Sequence, residues 1–158
     1  MRRWLAWRGL FWIALLLRVY LGGLFVLASL YKIQFPAAFA DSVVEYQLVP
    51  YALVPVVAVV LPWLELLAGL CLVLGVRAKA AAWTVAGLLA MFSVAVASVL
   101  WRGLPVGCGC FEASGEPASW LTVARDLVWL GMALYVIGYD RFLHLERVFL
   151  LSSAELDR

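Results

Sequence analysis

Four apolar runs of about twenty residues or more leave this chain few folds to choose from. They extend from Phe11 to Tyr31, from Tyr51 to Gly75, from Ala80 to Trp101 and from Trp120 to Tyr139. As a helix, the first of them (FWIALLLRVYLGGLFVLASLY) rises about 31 Å, the thickness of a bilayer's hydrocarbon core. Helices buried in soluble proteins use apolar stretches of only about 10–14 residues. Composition points the same way: 66% of the 158 residues are hydrophobic and 14% are charged. Soluble domains carry about 45–50% and about 25%. A water-soluble domain of this length has too much surface to hide the excess, and a disordered chain is excluded as well. The expectation is an all-α, integral membrane four-helix bundle in one domain over 1–158. Its spans fall at about 11–31, 51–75, 80–101 and 120–139, with outer loops at 32–50 and 102–119.

Trp and Tyr cluster near the ends of the runs (Trp4, Trp7, Trp12, Tyr31, Tyr51, Trp101, Trp120, Tyr139), as in interfacial belts. The opening MRRWLAWRG resembles the basic leader of a signal peptide. The run behind it is too long and lacks an adjoining small-x-small site, so it is expected to stay as a span. Arg2, Arg3 and Arg8 precede the first run, Arg77 and Lys79 lie between the second and third, and Arg141, His144 and Arg147 follow the fourth. Lys32 and Arg102 stand on the other side. The positive-inside rule then puts both termini in the cytoplasm and the two longer loops outside. In the first of those loops, PAAFADSVVEY is expected to form a short helix opening at Pro36, where a missing amide costs nothing. Phe39, Val43 and Tyr46 share one of its sides, suiting either a lid on the bundle or an element that meets a substrate or partner.

Two ionisable residues lie deep in the runs. Arg18 is about 10 Å above the cytoplasmic end of the first helix and Glu65 about 15 Å above that of the second. Charges at such depth face the bundle interior and pair, so Arg18 is expected to reach Glu65; proton or substrate handling is the other reading. Pro62 is expected to bend the second helix one turn before Glu65. Gly22, Gly23, Gly69, Gly75 and Gly87 are read as points of close helix approach. Lys32, Arg125 and Asp126 gather toward the outer end, either as an ion-pair cluster or as a patch that steadies a thiolate or a quinone oxygen.

Three cysteines complete the inventory. Cys71, in LLAGLCLVLG, reads as a small hydrophobe. Cys108 and Cys110, in GLPVGCGCFEASGEP, fall in the second outer loop, on the side where disulfides persist. A Cys-x-Cys ring is tight, so its disulfide is more reducible than an ordinary staple, and it closes too short a loop to stabilise much. A redox-active pair, a structural or partner-bridging pair and half of a metal shell are the three readings; no metal site is assigned, since two thiolates leave a tetrahedral shell half empty.

Together these pieces resemble the MauE-type membrane proteins of methylamine utilisation, a branch of the DoxX-like four-helix family. The resemblance rests on the Arg18 helix ending in Tyr31-Lys32, the Phe35/Phe39 loop leading to YQLVP, LPWLELLAG around Glu65, Arg102-Gly103 before the loop, CGCF, and Arg125-Asp126. Glu112 departs from it, standing where the family commonly has Gly after Cys-Gly-Cys-Phe. The resemblance implies a multi-pass plasma-membrane component with Cys108 and Cys110 as catalytic thiols on the periplasmic or extracellular side. It implies a thioredoxin-like partner and a client such as the disulfide-rich small subunit of methylamine dehydrogenase, and it makes a quinone the candidate cofactor. Lys32, Arg125, Asp126, Glu65 and Arg18 are then the residues expected to serve that cofactor, and no nucleic acid is involved. A non-catalytic assembly or anchoring factor is the alternative, and a small transporter a third; no internal repeat or pair of broken helices supports the transporter.

Overall fold

A helix with no proline in its interior continues until the chain forbids it, and Pro36 sets that limit for the first one. The residue before a proline is pushed out of the helical region, so α1 (Arg2–Gln34) stops ahead of Phe35. The computed structural model describes residues 2–104, 106–107 and 117–139, with side chains from residue 12 onward. Pro36 opens α2 (Pro36–Tyr46), which ends where Gln47 turns left-handed and its N–H meets the Val44 carbonyl. A 3₁₀ turn over Tyr51–Leu53 leads into α3 (Val54–Leu74). Gly75, at φ 73°, closes α3, and a tight turn through Arg77 starts α4 (Ala78–Arg102). Gly103, at φ 66°, ends α4: its N–H reaches Leu100 and the next N–H, of Leu104, reaches back to Val99. Both bonds satisfy last-turn carbonyls that the helix itself leaves orphaned. The last described helix is α5 (Trp120–Tyr139).

Four of these helices are long and apolar enough to cross a membrane, over Trp12–Gln34, Tyr51–Leu74, Ala78–Arg102 and Trp120–Tyr139. α1 packs on α3 and α4 on α5, while α5 against α1 and α3 against α4 close the ring. Leu21, Phe25, Leu72, Val85, Leu89 and Val136 fill its centre. The outside is apolar too: Leu16, Leu27, Leu67, Val94 and Leu121 are all exposed. A bundle that is oily inside and out suits lipid as its solvent. Exposed Tyr51, Trp101 and Trp120 ring the end that carries α2, and Trp12, Trp83 and Tyr139 ring the other.

The five glycines divide by role. Gly22 and Gly69 are the close approach: a Cβ on Gly69 would lie 2.8 Å from the Gly22 carbonyl oxygen, and one on Gly22 2.8 Å from that of Gly69. Gly23 and Gly87 face open space, and Gly75 serves as a helix cap, so these three are not approach points. Cys71 packs half-buried beside the core as a free thiol. Pro62 lies buried inside α3 and has no N–H to offer the Ala58 carbonyl, one turn before Glu65.

Candidate functional site

Toward the α2 end, the bundle buries a group of charges. Lys32, in the last turn of α1, points inward and is 4% exposed; Glu65 of α3 is 1% exposed and Asp126 of α5 is 2% exposed. The Lys32 ammonium donates to both carboxylate oxygens of Glu65, at 2.7 and 2.8 Å. It also sits 5.1 Å from the Phe39 ring centre and 4.9 Å from that of Phe92, so α2 and α4 cover it with aromatic faces. Asp126 takes an ion pair from Arg125 at 3.4 Å, and the Arg125 guanidinium lies over the Trp129 ring at 4.6 Å. Lys32, Glu65 and Asp126, together with Phe92 and Trp129, line one small cavity of about 30 Å³. That volume suits a water, which needs about 10–15 Å³ and polar partners. Two cations and two carboxylates balance the cluster.

The partner of Glu65 is therefore Lys32 and not Arg18, and the Gly22–Gly69 contact explains why. Gly22 faces Gly69 and Val73, and Gly69 faces Val26, so α1 and α3 run antiparallel with a fixed offset. That offset sets Arg18 opposite residues 73 to 77, at the far end of α3. Arg18 is itself 2% exposed, about 21 Å along α1 from Lys32. The structure thus brings Lys32, Glu65 and Asp126 together, places Arg125 at their edge and leaves Arg18 apart.

Cys108 and Cys110 lie outside the described residues, as does Glu112. The neck of their loop is described. Gly107 and Pro117 form an antiparallel bridge, and the Ala118 N–H donates to the Val106 carbonyl at 2.9 Å. The Tyr46 hydroxyl donates to the Gly107 carbonyl at 3.4 Å, while Arg102 donates to the Tyr46 carbonyl at 2.6 Å and to that of Ser98 at 3.2 Å. The C-terminal end of α2 is thereby tied to the residue immediately before Cys108. On α2, Phe39 is buried, Val43 and Tyr46 are half-buried, and Asp41 and Glu45 are exposed. The three-and-four spacing of Phe39, Val43 and Tyr46 had the signal for this face. Arg102 belongs to the Arg-Gly pair before the loop, which the sequence offers without its contacts, and nothing marks Phe92 out from other apolar-helix residues. Among the described residues, no three His, Cys, Asp or Glu side chains gather as metal ligands.

An Arg102→Leu variant is expected to loosen this neck. Its bond to Tyr46 is worth about 1 kcal/mol, the usual net value of a hydrogen bond, or about fivefold in local opening. Hydrogen exchange at the Val106 and Ala118 amides should rise by that factor while the amides of α3 stay unchanged; unchanged neck amides would show that Arg102 holds nothing there.

A family model described as "Methylamine utilisation protein MauE" matches residues 10–138. The methylamine utilization protein MauE of Paracoccus denitrificans is 38% identical over 122 residues, covering 76% of this chain and 66% of that protein. The protein of the same name from Methylorubrum extorquens is 35% identical over 123 residues, covering 77% and 64%. That of Methylophilus methylotrophus is 35% identical over 112 residues, covering 69% and 59%. The matched stretch thus spans less than two thirds of each relative's length. No solved structure matches the chain. With most of its membrane bundle covered by the family model, and relatives of one name matching the same stretch, the chain belongs to the MauE family.

Proposed function

We propose that this protein is a membrane-embedded thiol–disulfide redox component. It supports the maturation of an exported, disulfide-containing protein of the kind the methylamine dehydrogenase small subunit represents. The observation that carries the reading is the tie between the neck of the Cys108/Cys110 loop and Tyr46 of α2, a helix whose Phe39, on the same side, covers a buried cation. Family membership supports a methylamine-associated membrane role. In this reading both termini are cytoplasmic, the protein sits in the plasma membrane and the cysteine pair faces the periplasm or cell exterior. There it meets a thioredoxin-like partner.

Exchange between two cysteine pairs balances without a further reactant. A thiolate of one pair attacks the disulfide of the other, a mixed disulfide forms, and the second thiol of the attacking pair resolves it. One disulfide opens and one forms, and two electrons and two protons change pairs. A quinone, when bound, supplies a lipid-soluble two-electron, two-proton couple. A buried ammonium flanked by phenyl rings is a fitting donor for a quinone oxygen, so Lys32 is the residue that would hold it. Arg125 and Asp126 balance charge behind it. Arg18 lies too far along α1 to take part in holding it.

Impermeant thiol labelling of isolated membranes tests the reading. Labelling at Cys108 and Cys110 is expected to fall on adding oxidised quinone and to rise with reduced quinone, and Cys108→Ser or Cys110→Ser should abolish the cycling. A pair that never changes state, with serine variants that still support maturation, overturns it. One observation favours a second reading, a non-catalytic assembly or anchoring factor: both Glu65 oxygens are spent on Lys32, an arrangement that holds helices together. That reading predicts maturation without thiol cycling.

A further inference from the structure

A second cavity, of about 190 Å³, lies under α2 between α3 and α4. Its wall is made by Phe39, Ser42 and Tyr46 of α2, Leu61 of α3 and Phe92 and Ala95 of α4, with Lys32 reaching in from α1. Lys32 and Phe92 line this cavity and the small polar one alike. An apolar cavity of about 150 Å³ takes up a benzene ring, whereas sites for larger organic ligands run from about 300 Å³. The space therefore fits one substituted ring.

The chemistry of the wall narrows the occupant further. An ammonium has three N–H donors, and Glu65 takes two of those of Lys32. The Ser42 hydroxyl is committed to the Ala38 carbonyl at 3.1 Å and that of Tyr46 to Gly107. The third N–H is bonded to neither Glu65 oxygen, and the ammonium that carries it lines both cavities between two phenyl faces. A hydrocarbon tail would leave that N–H unsatisfied in a dry site, which is unfavourable; a basic ligand would be repelled; a neutral carbonyl oxygen satisfies it. Met91, also in the wall, is 46% exposed on the outer face of the bundle, so the cavity opens toward the acyl chains. The occupant enters from the lipid.

We propose that the cavity between α2, α3 and α4 binds a lipid-soluble single-ring carbonyl compound, of the quinone head-group class, with its oxygen on Lys32 and its ring between Phe39 and Phe92. The assignment rests on the function proposed above for what the ligand does there, and on the cavity alone for its binding. The full-length protein in lipid nanodiscs is photolabelled with an azido derivative of decyl-benzoquinone or with a diazirine derivative of palmitate, and the labelled peptides are mapped by mass spectrometry. Saturable quinone label is expected on the peptides holding residues 39–46 and 91–96, competed by unlabelled decyl-benzoquinone and not by palmitate. Ala95→Phe, which fills the cavity, should cut it at least tenfold. Should that variant fail to fold, the charge-neutral pair Lys32→Met with Glu65→Leu removes the donor and should weaken labelling about tenfold. Label at other peptides, label indifferent to both variants, or equal competition by palmitate overturns the assignment. In a Cys108→Ser, Cys110→Ser double variant the labelling should persist; in the parent protein, a thiol pair that never cycles despite retained labelling sinks the redox reading and leaves the site standing.

Discussion

Replacing Lys32 by Met is expected to destabilise the bundle by about 3–5 kcal/mol, the range for stripping one partner from a buried ion pair. The geometry gives the reason. Glu65 is 1% exposed and directs both oxygens at Lys32, so without the ammonium a carboxylate is left without its ion-pair partner in an interior lined by Leu24, Phe25 and Leu89. A charge at the centre of a membrane helix costs about 2.5–3.5 kcal/mol by insertion scales, in line with that range. Replacing both partners removes the stranded charge, and apolar groups of similar volume are often as stable as the pair they replace. Lys32→Met with Glu65→Leu is therefore expected to regain most of the loss, to within about 1 kcal/mol of the parent. Unfolding of the purified protein in mixed micelles with increasing SDS measures all three. A single variant that loses less than about 1 kcal/mol would show that the pair is not what holds α1 to α3 at this depth. A double variant that folds well but no longer supports maturation would place the two residues in the chemistry as well as in the frame.

The same pair shows where the sequence stops speaking. The helices themselves were legible, and three of the four apolar runs end at a residue with a physical reason to end them: Pro36 beyond α1, Gly75 after α3, Gly103 after α4. So was α2, from Pro36 and the spacing of Phe39, Val43 and Tyr46. That Glu65 must pair followed from the cost of leaving it alone, but the identity of its partner did not follow. Depth counted from the ends of two helices assumes that those ends are level, and α1 and α3 are offset. Their offset is set where two glycines let backbone meet backbone, and among seven apolar-run glycines nothing local distinguishes the two that touch. Phe92 was illegible for a related reason. Its position is one apolar residue among many in α4, and only the rotation of that helix about its axis turns the ring toward Lys32.

If that offset governs the site, then Gly69→Val should damage the ion pair from a turn away. A Cβ on Gly69 would meet the Gly22 carbonyl oxygen at 2.8 Å and the Val26 amide nitrogen at 3.1 Å. Both are backbone atoms, so no rotamer change relieves the clash and α1 and α3 must move apart. Overpacking of this kind costs about 1–3 kcal/mol, and a branched side chain against a carbonyl belongs at the upper end. Glu65 lies one turn from Gly69 on α3, so separation at the crossing also carries its carboxylate away from Lys32. The consequence is measurable as coupling. A double-mutant cycle on Lys32 and Glu65 gives an interaction free energy in the parent, and the same cycle in the Gly69→Val background is expected to give less than half of it. Gly87→Ala is the control: its Cβ meets nothing within 4 Å, so it should leave the coupling unchanged and raise stability by up to about 1 kcal/mol through helix propensity. A Gly69→Val protein that is less stable yet keeps the full coupling would separate the two effects and show that the helix crossing does not set the register of the pair.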